Sequence, residues 1–113
     1  MDKGTLYRDL IKKCLGEWEA YIRRARHNGI DIQRINDDTN GNYLLVYLGW
    51  DKNQRVQQTA LHLRLKEDRI WIEVDETEEG IATALVRAGV PRQDIVLAFH
   101  PPELRHLSEF ASV

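Results

Sequence analysis

An α+β fold is what this sequence predicts: an N-terminal helix, a four-stranded antiparallel meander, a crossover helix, a short fifth strand and a short C-terminal helix, in one domain over residues 1–113. Three observations predict it. Apolar residues near the N-terminus recur at four-residue steps, the spacing of a helix that lies on a core. From Ile30 to Asp75 the period drops to two, as in strands with one buried face. A helical pattern then interrupts the strands and a continuous apolar run follows it, which reads as a strand–helix–strand crossover.

The first helix is expected over residues 5–27. Leu6, Leu10, Cys14, Trp18 and Ile22 form its stripe, and Tyr7, Ile11, Leu15, Tyr21 and Ala25 widen it. Arg8, Lys12, Arg23 and His27 take the opposite face, with Glu19 one turn before Arg23 as an ion-pair partner. Asn28-Gly29 ends the helix, because glycine takes the left-handed C-terminal position without steric cost.

Four strands follow. "IDIQRI" is the first, and Asn40-Gly41 turns the chain into "NYLLVYLGW". "DKNQ" turns it into "RVQQTALHLRL", with Leu61, Leu63 and Leu65 on one face and His62 and Arg64 on the other. "KEDR" leads to "IWIEV", which sets Ile70, Ile72 and Val74 against Trp71 and Glu73. Turns this short make the strands antiparallel neighbours.

Asp75 or Thr77 caps the second helix, with Glu78 and Glu79 in its first turn, where the helix dipole favours negative charge. Glu78 stands three residues after Asp75, the spacing of a capping box, whereas Gly80 holds that place relative to Thr77. Ile81, Ala82, Leu85 and Val86 supply the buried face, and Gly89 and Pro91 end the helix. "DIVLAF" is then a short strand buried on both faces, parallel to a neighbour. Pro101 and Pro102 lack N–H donors, so they stop the sheet ladder, and proline suits the first turn of a helix. "HPPELRHLSEF" is therefore a strand stop followed by a short helix.

Composition excludes several classes. Hydrophobic residues at 42% and charged residues at 30% argue against disorder. The N-terminus is charged throughout, unlike a signal peptide, and no apolar stretch approaches the ~20 residues that span a bilayer. Cys14 is the single cysteine, so no internal disulfide forms, which fits a cytoplasmic protein. A net charge of −2 does not attract nucleic acid overall. The charge is uneven, however, with an excess of +3 over residues 1–28 and of −5 over residues 66–79. Arg8, Lys12, Arg23 and Arg24 are accordingly the candidate residues for a weak DNA contact, and ordinary solvated faces are the plainer reading.

The chemistry-bearing residues form no known catalytic or metal pattern. His100, Glu103 and His106 have ligand side chains without a zinc spacing. His100 reads better as a strand-end histidine bonded to backbone. Cys14 lies in the apolar stripe and reads as core. Asp75, Glu76, Glu78 and Glu79 lack the alternation of a calcium loop, and capping chemistry accounts for them. An enzyme site would have to assemble from Trp71, Asp75, His100 and Arg105. No metal or cofactor is expected.

The second face of the sheet is the anomaly. Helices on the Leu61, Leu63 and Leu65 face leave Ala60, His62, Arg64, Trp71 and Glu73 pointing away. The second strand adds to that face either Tyr43, Leu45 and Tyr47 or Leu44, Val46 and Leu48. That is more apolar and aromatic surface than a solvated face carries. Two readings follow. The face, with His62, Arg64, Trp71 and Glu73, binds another protein or a second copy of the chain as a homodimer, or the C-terminal segment folds back over it.

Motifs along the chain match a known pattern. They are Gly49-Trp50, "LHLRLKEDRIWI" from Leu61 to Ile72, "TEEGIA" from Thr77 to Ala82, "AGVPRQDIVLAFHPPELR" from Ala88 to Arg105, and the terminal "FASV". With these the chain resembles the XisI family, the fdxN-element excision controlling factors of cyanobacteria. Asp75, Thr77, Glu78, Gly80, Gly89, Pro91, His100 and Arg105 are the cap and motif positions. One departure is Glu76, where family members often have glycine. The resemblance implies a non-enzymatic accessory in the programmed DNA rearrangement of heterocyst differentiation. A recombinase cuts the DNA in that system, and the accessory acts with an XisH-like nuclease-fold partner. The chain would thus meet DNA indirectly, through the recombinase complex, with no membrane involved. A direct DNA contact through the basic helix is the alternative.

Overall fold

Each period-two segment forms a strand, and each polar cluster between them forms a turn. The computed structural model describes residues 2–25 and 29–113. Helix α1 (Lys3–Ala25) is followed by β1 (Ile30–Asp37), β2 (Asn42–Asp51), β3 (Gln54–Lys66) and β4 (Arg69–Asp75). Helix α2 (Ile81–Arg87), a 3-10 turn at Arg92–Asp94, β5 (Ile95–Leu97) and a second 3-10 turn at Pro102–Leu107 complete the chain. The sheet order is β1-β2-β3-β4-β5. The first four strands are antiparallel, and β5 runs parallel to β4. This is the α+β architecture the residue pattern predicts. The expected helix end at Asn28, like His27, lies outside the described residues. No helix among the described residues is long and apolar enough to cross a membrane.

Local chemistry sets the turns. Asp37 Oδ1 accepts the N–H groups of Thr39 and Asn40, each at 3.1 Å, and so bends the chain before β2. Between β3 and β4, Glu67 and Asp68 both take left-handed backbone angles, φ 56° and 59°. Two such residues in succession match the twist of a tight hairpin, here without glycine.

The core lies between α1 and the sheet. Tyr7, Ile11, Cys14 and Leu15 of α1 are buried with Tyr43, Leu45, Leu61, Leu63, Ile70 and Ile72 of the strands. Each fully buried Leu or Ile contributes about 1.5–3 kcal/mol relative to exposure. Cys14 is core as expected, and burial raises its thiol pKa. The widened stripe is only partly covered, because Leu6, Tyr21 and Ala25 are exposed. At about 1.5 Å per residue the helix is roughly 34 Å long. Its first turns are docked by the buried Tyr7 and by Lys3, which pairs with Asp94 at 3.2 Å, so it is the C-terminal end, with Tyr21 and Ala25 exposed, that extends past the buried surface.

Helix α2 starts later than its sequence suggests. Gly80 sits at φ 92°, outside helical geometry, so Glu78 and Glu79 precede the first turn instead of occupying it. No capping box forms with Glu78. Asp75 caps from six residues away: its Oδ2 accepts the Ile81 N–H at 2.8 Å, and its Oδ1 accepts the Thr77 N–H at 2.9 Å. Thr77 Oγ1 in turn accepts the Gly80 N–H at 3.1 Å. Gly80 is thus the N-cap residue itself; of the two predicted caps only Asp75 reaches a first-turn N–H, while Thr77 orders the loop before the helix. Glu76 needs no left-handed conformation, and its N–H donates to Ala60 O at 2.9 Å. At the other end, the Gly89 N–H donates to Val86 O and the Val90 N–H to Leu85 O, the paired bonds of a glycine-terminated helix.

Strand β5 is three residues long, shorter than "DIVLAF", because the chain turns away after Ala98 donates to Ile72 O at 2.9 Å. Ile95 and Val96 are both fully buried, as a strand covered on both faces requires. The Ala111 N–H then donates to Ile95 O at 2.9 Å, so the C-terminal segment shields this edge of the sheet.

Candidate protein-binding face

Two bulges decide which side chains reach the helix-free face. Leu45 pairs with Leu61 and Val46 with Thr59, which leaves Ala60 as an extra residue in β3. Ala60 is therefore buried with Leu61 and does not face away as alternation alone implies. Leu63 pairs with Ile72 and His62 with Val74, which leaves Glu73 as an extra residue in β4. Val74 thereby leaves the face of Ile70 and Ile72 and stands opposite His62 on the helix-free side. A one-residue insertion moves every later side chain to the other face, so a strict count of two misplaces both residues.

On β2, Tyr43 and Leu45 are buried toward α1, and Leu44, Val46 and Leu48 take the open face. In β1, Ile35 pairs with Leu44 and is 46% exposed. Ile35, Leu44 and Val74 thus extend an aliphatic row across the sheet through His62. Ile35, Val46 and Leu48 also frame a shallow hollow of about 470 Å³ with Gln57 and Thr59. Ile35 is an addition to the face that the residue pattern predicts. The available signal was its parity, since Ile30 and Ile32 share one side of "IDIQRI" and Ile35 falls on the other.

The predicted polar residues sit toward the β4 end. His62 Nε2 lies 2.9 Å from Asn42 Oδ1, so the ring donates from that nitrogen. Burial lowers the His62 pKa, with Glu73 opposing the shift. Arg64 reaches the Glu73 carboxylate at 3.5 Å. The Trp71 indole N–H donates to Lys66 O at 3.2 Å, and the Lys66 ammonium lies 4.8 Å from the centre of the ring.

The C-terminal segment covers one end of this face and leaves the other open. Arg105 is 8% exposed, with its guanidinium 5.6 Å from the Trp71 ring centre. It donates to His100 O at 3.0 Å, Val113 O at 2.7 Å and Ala98 O at 3.3 Å. One cation thus gathers three carbonyls and locks the tail over Trp71 and the buried Val96. His100 acts here through its main chain, accepting from Arg105 and donating to Leu97 O at 3.2 Å. Its ring packs on Phe99 at 4.6 Å. Trp71, His100 and Arg105 are therefore brought together as a structural clasp, while the Asp75 carboxylate is held by the α2 cap. No group of three or more His, Cys, Asp and Glu among the described residues is placed to hold a metal.

Three of the four candidate DNA-contacting cations lean on carboxylates. Lys12 reaches Asp38 at 3.0 Å and Arg8 reaches it at 3.8 Å, and Arg8 also donates to the Tyr43 hydroxyl at 3.1 Å. Arg23 pairs with Glu19 at 3.0 Å and Asp31 at 3.7 Å, and donates to Ile32 O at 2.8 Å. Arg24 is exposed and has no ion pair among the described residues.

Known proteins share this fold. The family model described as XisI protein matches residues 1–112. The crystal structure of an XisI-like protein from Anabaena variabilis superimposes with a TM-score of 0.89 at 28% identity, covering 96% of this chain and 97% of that one. The fdxN element excision controlling factor XisI from the same organism superimposes with a TM-score of 0.85 at 35% identity, covering 99% and 100%. No curated protein matches the chain.

Proposed function

The chain belongs to the XisI family, and from that membership we propose that it is a controlling factor of DNA element excision that works by binding an XisH-like partner protein through its helix-free sheet face. The observation that carries the reading is the row of Ile35, Leu44, Val46, Leu48 and Val74 on the face opposite α1, half-buried except for the exposed Ile35, with Ile35, Val46 and Leu48 framing a hollow. An apolar centre rimmed by polar groups such as Gln57, Arg64 and Glu73 has the anatomy of a protein interface. The likeness to an excision controlling factor supports the process, since that protein is 35% identical over essentially its whole length. The ion pairs of Arg8, Lys12 and Arg23 favour reaching DNA through a partner over gripping phosphates directly.

The test mixes the purified chain with an XisH-like protein and reads mass by light scattering. A complex is expected, weakened at least about tenfold by Leu44→Asp or Leu48→Asp, with far-UV circular dichroism unchanged. A complex of unaltered affinity in both variants sinks the reading. So does a homodimer that occupies the same face and excludes the partner.

A further inference from the structure

The overhanging half of α1 makes a second surface, on the helix side of the sheet and independent of the face above. Trp18 and Ile22 are half-buried, and Tyr21 is 56% exposed. Trp18 and Tyr21 meet edge to face, with ring centres 5.6 Å apart and planes at 86°. With Tyr47 of β2 and Ala84 of α2 they line an open groove of about 910 Å³ between the two helices. Among the described residues, Trp18 Nε1 and the hydroxyls of Tyr21 and Tyr47 have no hydrogen-bond partner, so the groove offers aromatic faces and unused polar atoms together. Burial raises the Tyr47 pKa and keeps its hydroxyl neutral.

The rim of this groove is acidic. Glu17 stands on α1, and Glu76 and Glu78 stand on the loop before α2; all three are exposed. None of the three has an ion pair among the described residues, whereas Glu79 is neutralised by Arg87 at 2.9 Å. Lys13 is the one lining cation left outside an ion pair among those residues. Apolar floor and negative rim together specify the complement: apolar side chains flanked by positive charge.

We infer that this groove receives a cationic amphipathic segment of a partner protein, with its apolar side chains against Trp18, Tyr21 and Tyr47 and its Lys or Arg side chains at Glu17, Glu76 and Glu78. A helix presenting Leu on one face and Lys on the other is the simplest such ligand. Binding weakens with added salt, because the rim charges are solvent-exposed and screened.

The test uses the full chain and a labelled amphipathic peptide of Leu and Lys, with its Leu and Glu counterpart as control, read by fluorescence anisotropy. The Lys peptide is expected to bind and to shift the Trp18 indole N–H signal in the NMR spectrum, leaving those of Trp50 and Trp71 in place. Tyr21→Ala, at an exposed position that does not endanger folding, weakens binding about tenfold, as does the pair Glu76→Lys and Glu78→Lys. Leu44→Asp, on the opposite side of the sheet, leaves it unchanged, which separates this result from the fate of the sheet-face reading. Equal binding of both peptides, no binding of either, or indifference to Tyr21→Ala overturns the inference. Self-association that Tyr21→Ala abolishes and the peptide cannot displace assigns the groove to a second copy, and overturns it too.

Discussion

The two faces of the sheet carry similar residues and end in opposite states. Toward α1, Tyr43, Leu45, Leu61, Leu63 and Ile72 are fully buried. On the other side, Leu44, Val46, Leu48 and Val74 are half-buried, and Ile35 is largely exposed. Side-chain chemistry does not distinguish these sets. What differs is the covering element: a helix of 23 residues lies on one face, and a short tail reaches one end of the other. Burial is thus decided by what the rest of the chain can bring over each strand, and the uncovered remainder is the candidate interface.

The comparison can be broken from either side. The largest effect is expected at Leu61, in the covered face, where Leu61→Ala costs about 2–5 kcal/mol through lost transfer energy and a cavity. Urea denaturation measures it, and a cost near that of Leu44→Ala, expected at about 1 kcal/mol or less, would erase the distinction between the faces. Next comes the clasp. Arg105→Ala removes a buried guanidinium and its three carbonyl bonds, at about 3 kcal/mol. Hydrogen exchange should show lost protection at Ala98 and Ala111 while β1 and β2 keep theirs, and Trp71 fluorescence should change. Uniform loss across the sheet would mean that the tail is integral to the fold.

A smaller effect is expected from pH at the boundary between covered and open regions. Burial lowers the His62 pKa below its ordinary value of 6.5. The neutral ring therefore stabilises the fold fully above that value, and this contribution is lost as pH falls through the folded-state pKa. Asp37 and Asp38 are also lowered, Asp37 by a backbone bond from Asn40 and Asp38 by the Tyr43 hydroxyl, but their contribution fades only below the carboxylate range. His62→Gln should flatten the decline in urea midpoint between about pH 7 and pH 5 without altering the loss at lower pH. The smallest change concerns the β3–β4 turn, where replacing Glu67-Asp68 by Asn-Gly should add about 0.5 kcal/mol, because those residues accept positive φ more readily. Thermal unfolding would show a slightly raised midpoint.

Much of this was legible in the residues, and the exceptions share a cause. The meander, the helix-ending role of Gly89 and the buried Cys14 follow from neighbours a few positions apart. The displacement of Val74 and Ala60 does not, since each bulge depends on the strand opposite. Arg105 could be read as a motif position, but not as the clasp on Trp71, because its partners include a residue beside it in space and not in sequence. The late start of α2 could be suspected from Gly80 and was hidden by the acidic residues before it.

By itself, the amino-acid order determined the elements, their succession and the apolar excess on two strand faces, because period, turn chemistry and capping are short-range properties. Only the tertiary structure decided the register after each bulge, the reach of the tail and the part of the sheet left open. Those outcomes depend on long-range pairings, whose energies are settled when distant segments compete for the same surface.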